Sequence, residues 1–126
     1  MYSAGCTSKP ATPAELSSDL SLLISSAAEA DLFIERIQAG KVTNTYAQAH
    51  AAYLSAQSKE QTDKLRKTIV APGLEEIMAA CVRQQELLEN QLRQLDANVH
   101  DPNELAAIRQ SIQNIYTESS RLRARL

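Results

Sequence analysis

Few side chains in this sequence could do chemistry, and their spacing limits what that chemistry is. The 126 residues include two cysteines and two histidines. Cys6 and Cys81 cannot by themselves build a disulfide framework or a zinc cage. Cys81 falls on an apolar seam, where a small buried hydrophobe is expected, and nothing in the spacing requires it to pair with Cys6. His50 and His100 each lack the glutamate three residues earlier that helical bundles combine with histidine around iron. No metal site and no cofactor is therefore expected. The sequence has no glycine loop for phosphate, no serine elbow and no motif-set Cys-His pair, so it reads as non-enzymatic. Hydrogen-bonding chemistry remains. Gln85 and Ser119 interrupt apolar seams, and Ser58 and Gln61 stand in a polar stretch. Such layers either fix helix register or contact a partner or ligand. Register is the simpler reading, and these four are the candidate contact residues.

The elements that must position them are helices. Only three glycines occur, too few for the tight turns of a sandwich or barrel, while Ala, Leu, Gln, Glu and Arg abound. Thr12-Pro13-Ala14-Glu15 and Asp101-Pro102-Asn103-Glu104 repeat one helix-start signal. In each, a side-chain oxygen can cap orphan N–H groups, proline sits where no bond is lost, and glutamate can reach back.

The first helix is predicted from Pro13 to about Ala39, ended by Gly40. Its seam is Leu16, Leu20, Leu23, Ala27, Ala30, Ile34 and Ile37, widened by Ile24 and Phe33. The second starts near Thr45, with Gln48 completing the cap. It carries Ala47, Ala51 and Leu54, then Leu65 and Ile69. Ser55 to Lys64 between them is polar, and should fray or line a polar interior. Ala71-Pro72-Gly73 breaks the pattern. A third helix follows on Leu74, Met78, Cys81, Gln85, Leu88, Leu92 and Leu95. The fourth carries Leu105, Ile108, Ile112, Ile115, Ser119, Leu122 and Leu126. Each would be roughly 35–40 Å long.

Short connections between helices of similar length predict an all-α, antiparallel up-down-up-down four-helix bundle over residues 12–126. Residues 1–11 read as a flexible lead. The alternative fold is a three-helix, coiled-coil-like arrangement in which Pro72 only kinks one long helix. Charge placement favours the bundle. Glu15, Asp19, Glu75 and Glu76 at helix starts would face Lys64, Arg66, Lys67, Arg121, Arg123 and Arg125 at helix finishes. Tyr46, Tyr53 and Tyr116 are expected at the margins. Homodimerisation stays open, because heptads serve a coiled-coil dimer as well.

A net charge of −2 and scarce aromatic residues (4%) give no basis for nucleic-acid binding. No run reaches the roughly eighteen apolar residues of a membrane span. Ser3-Ala4-Gly5-Cys6 resembles the end of a bacterial lipoprotein signal, in which small residues precede a cysteine that is lipidated. Ser3 stands where leucine is usual, and only five residues precede Cys6. The resemblance implies a lipid on Cys6, a tether over Thr7 to Ala11 and, with Thr7 rather than aspartate next, outer-membrane anchorage facing the periplasm. It leads to the expectation of a non-enzymatic protein-binding or structural component of the cell envelope. Its partner would be another protein held on a helix face, with the membrane engaged only through the lipid. A soluble cytoplasmic adaptor or chaperone and a small-molecule-binding bundle are the alternatives.

Overall fold

The computed structural model describes residues 9–126. Four helices follow one another: α1 (Pro13–Gln38), α2 (Asn44–Arg66), α3 (Glu75–Ala97) and α4 (Pro102–Ala124). They form an antiparallel four-helix bundle. The three-helix alternative is excluded, because Pro72 lies in a true connection in which Gly73 adopts φ +93°. No helix among the described residues is long and apolar enough to cross a membrane.

Local chemistry sets the ends. Thr12 Oγ1 accepts from the Glu15 N–H at 3.2 Å, and the Thr12 N–H donates to Glu15 Oε1 at 3.0 Å. Those contacts hold the Glu15 carboxyl below its usual range. The cap of α4 is one-sided: Asp101 Oδ1 accepts from the Asn103 and Glu104 N–H groups, and Glu104 makes no return bond. At the end of α1 the Gly40 N–H donates to Ile37 O and the Lys41 N–H to Arg36 O. This Schellman arrangement needs the positive φ of Gly40, +68°.

The predicted cap of α2 is corrected. Thr43, not Thr45, is the N-cap, its hydroxyl accepting from the Tyr46 N–H at 3.1 Å. Because the Schellman turn is compact, the chain re-enters helix two residues early. Ser55 to Lys64 does not fray; it is helical throughout. Ala11, expected in the lead, is buried and tied to the α2–α3 connection. Its N–H donates to Ile69 O at 2.7 Å, and Ala71 N–H donates to Ala11 O at 3.2 Å.

The predicted seams form one core, with two exceptions. Ile69 and Leu126 are exposed because each falls beyond the end of its helix. α1 packs chiefly on α4, α2 on α3 and α3 on α4, with a smaller α1–α3 contact across the middle. The backbones of α1 and α2 do not approach closely as in a square bundle, and side chains bridge them instead. Arg109 locks α4 to α1, donating to Asp31, Glu35 and Gln38 at 2.8, 2.9 and 3.1 Å. The expected meeting of acidic starts and basic finishes is partial. Arg125 pairs with Glu76 and Lys64 acts on Asp19, but Arg66 turns to Glu86 and Arg121 to Glu118.

Loss of a capping hydroxyl costs about 1 kcal/mol. Thr43→Ala should therefore lower the thermal midpoint by several degrees. Thr45→Ala should leave it within about one degree, since that hydroxyl caps nothing. Parallel calorimetric melts of the two variants check this.

Candidate functional site

The inner face of α2 is Ala47, Ala51, Leu54, Ser58, Thr62 and Leu65. Only two of these are large and apolar, so α2 cannot fill the space toward α1. A cleft of about 660 Å³ remains between α1 and α2, floored by α3. Leu22 and Ser26 line it from α1, Leu54, Gln57, Ser58, Glu60, Gln61, Asp63 and Lys64 from α2 with Lys67 at its C-cap, and Gln85, Leu88 and Leu92 from α3.

The cleft floor carries a buried polar layer. Gln85 is only 2% exposed. Its Nε2 donates to Ser58 O at 3.2 Å, Ser58 Oγ at 3.1 Å and Thr62 Oγ1 at 3.4 Å. The Thr62 hydroxyl donates to Ser58 O at 2.9 Å. A buried amide without partners costs several kcal/mol, so this set fixes the register of α2 on α3. Gln61 lies at the edge of the layer, and its buried Nε2 donates to no acceptor among the described residues.

At the α1–α2 loop the gap is bridged by aromatics. His50 stacks between Tyr46 (5.3 Å, 10°) and Tyr53 (5.8 Å, 23°), with Phe33 edge-on at 4.7 Å. Its Nε2 lies 3.4 Å from Glu29 Oε2 on α1. Spacings of four and three put Tyr46, His50 and Tyr53 on one face of α2, the face that continues as Gln57, Gln61 and Lys64. Tyr46 and Tyr53 remain 51% and 55% exposed.

Three of the four predicted contact residues, Ser58, Gln61 and Gln85, thus share the cleft. Ser119 does not: it is fully buried on α4, and its Oγ has no hydrogen-bond partner among the described residues. Thr62 belongs to the layer and was missed, although it stands four residues after Ser58 and three before Leu65. His50 is part of the aromatic bridge, where its sequence neighbours gave no sign of Phe33 and Glu29. His100 is exposed in the turn before α4. Cys6, with the whole lipoprotein-like run, lies outside the described residues. Among the described residues no three His, Cys, Asp or Glu side chains converge to hold a metal ion.

Cys81 is fully buried, as its seam position predicts. Burial first, and the negative charge of Asp19 second, push its thiol from 9.0 to about 11. It is therefore no thiolate at neutral pH. The Asp19 carboxyl is itself raised, because its own desolvation outweighs the opposing charge of Lys64. Comparison of the chain with known protein families, with characterised proteins and with solved structures finds no match.

Two outcomes are expected. Ser119→Ala removes an unpaired buried hydroxyl and should raise stability by about 1 kcal/mol in urea melts. Between pH 9 and 11 the folded thiol of Cys81 keeps a proton that the unfolded thiol has lost. Stability then falls with rising pH, by on the order of 2 kcal/mol from this group. Cys81→Ala should flatten that part of the stability curve, measured by urea melts at stepped pH.

Proposed function

We propose that this chain is a non-enzymatic binding component of the bacterial cell envelope. A lipid on Cys6 would hold it to the outer membrane, and it would engage another protein from the periplasm through a face of α2. The observation that carries the binding part is the Tyr46–His50–Tyr53 ladder. Two large aromatic rings remain half in water while stacked into a fixed orientation, so little side-chain entropy is left to lose when a partner covers them. Tyrosine is among the side chains enriched at interface hot spots. The envelope part rests on the lipoprotein-like run before Cys6 and on nothing else.

The experiment is a photo-crosslinking residue at position 53 in the native cell, with one at Gln110 of α4 as the control, combined with intact mass and detergent partition. The expected result is one discrete adduct from position 53, none from position 110, and a mature chain that begins at Cys6, carries acyl mass and enters detergent. An unmodified chain that stays in water would overturn the envelope reading in favour of a cytoplasmic adaptor. Equal labelling from both positions would overturn the α2 face.

A further inference from the structure

We propose that the protein held on the α2 face is a second copy of this chain, its α2 packed antiparallel on the first about a two-fold axis. The proposal rests on the reading of α2 as the binding face and names its partner; it does not need the lipid on Cys6. The surface concerned is the outward side of α2, beside the cleft rather than in it. Tyr46, Ala49, Tyr53, Ala56 and Glu60 are all exposed and follow one another at spacings of three, four, three and four. They form a second seam, set apart from the buried one of Ala47, Ala51, Leu54, Ser58, Thr62 and Leu65. Val42 to Ser58, which contains most of it, is the longest stretch of the chain without an Asp, Glu, Lys or Arg. A helix face turned to water normally carries charge, and the backbone of α2 lies close only to that of α3.

The alternation of large and small residues selects a second copy. When two such helices run antiparallel with Tyr46 opposite Ala56, Ala49 falls opposite Tyr53. Both matches occur in one register, because each pair is centred on position 51. Every tyrosine of one copy then meets an alanine of the other. Alanine lets the axes approach to about 8 Å, and the opposing ring fills the space above it. A parallel pair in register would instead set ring on ring and alanine on alanine, and would bring the two Glu60 carboxylates together. His50 stacks with both rings and fixes the direction in which they are presented.

Charge agrees with the same register. Lys41, just ahead of the Thr43 N-cap, comes level with Glu60 of the second copy to within one residue, about 1.5 Å. Neither Lys41 nor Glu60 makes an ion pair among the described residues. The two-fold axis repeats the pair at the other end, and each Glu60 also lies beside the N–H end of the opposite α2. The paired faces bury roughly 1,000 Å² in total, the low end for a specific interface, so the dimer should dissociate in the micromolar range.

The test is sedimentation equilibrium of the full chain from low micromolar to near-millimolar concentration, with reductant present so that a Cys6 disulfide cannot mimic association. A monomer–dimer equilibrium is expected. Ala49→Glu should weaken it about tenfold or more by setting a charge against the tyrosine opposite, while Ala106→Glu, exposed on α4, leaves it unchanged. Both positions face solvent, and unaltered helical circular dichroism verifies the folds. Lys41→Glu and Glu60→Lys should each weaken the dimer several-fold. Combined, they should restore it to within about twofold, a rescue that a purely structural role would not give. A monomer at every concentration, association unaffected by Ala49→Glu, or failure of the double exchange to restore it would each overturn the proposal. A monomeric chain that still gives a position-53 adduct with a different protein removes only the second copy. Loss of that adduct as well removes the α2 face itself.

Discussion

The position of α2 depends on one buried amide. Gln85 sits in the middle of a leucine seam, and its N–H groups need acceptors that leucine cannot supply. Ser58 and Thr62 supply them from α2, in a single register, because a shift of one residue would turn both oxygens away from α3. The polar layer thus draws α2 onto α3 at the cost of contact with α1. The wide spacing of the α1 and α2 backbones, bridged by side chains near their loop, and the cleft beyond that bridge follow from that choice.

The rest of the bundle is held by ordinary apolar packing, unevenly shared. α1 buries Leu16, Leu20, Leu23, Ile24, Phe33 and Ile34, and α4 buries Leu105, three isoleucines and Leu122. At roughly 1.5–3 kcal/mol for each large side chain, α1, α3 and α4 form the stable body, and α2 adds only Leu54 and Leu65 to it. Arg109 increases the asymmetry by clamping α4 to α1 with three hydrogen bonds. The helix that carries both the aromatic ladder and the cleft wall is therefore the one with least apolar anchorage. Elements that open or adjust on binding are drawn from such places.

The helices were legible because their signals are local. Pro13 and Pro102 with their caps, the Gly40 stop and the four-three seams each act within a turn or two, and no distant contact overrides them. Periodicity says which face of a helix is buried but not which neighbour covers it, so the open α1–α2 side could not be read from the chain. The polar layer was half legible. Ser58 and Gln85 stood out as breaks in apolar runs, whereas Thr62 was hidden behind its neighbour Gln61, the two differing by 100° around the helix. Ser119 showed the same break on α4 but met no partner, because an isolated seam interruption does not reveal what lies opposite. His50 lay furthest from view, since Phe33 and Glu29 reach it from another helix.

A gap between two helices normally closes, because closing it buries apolar surface. Here Leu22, half exposed, would gain from closure, but Leu54 is already buried and the polar groups beside them would lose. Gln61 already holds one buried N–H without an acceptor, and closing the slot would also draw the charges of Lys64 and Glu60 toward a region of low dielectric. A few kcal/mol of desolvation for such groups exceeds what one half-exposed leucine can return. The ends meet only where chemistry permits it: stacked rings at one end, backbone hydrogen bonds at the other.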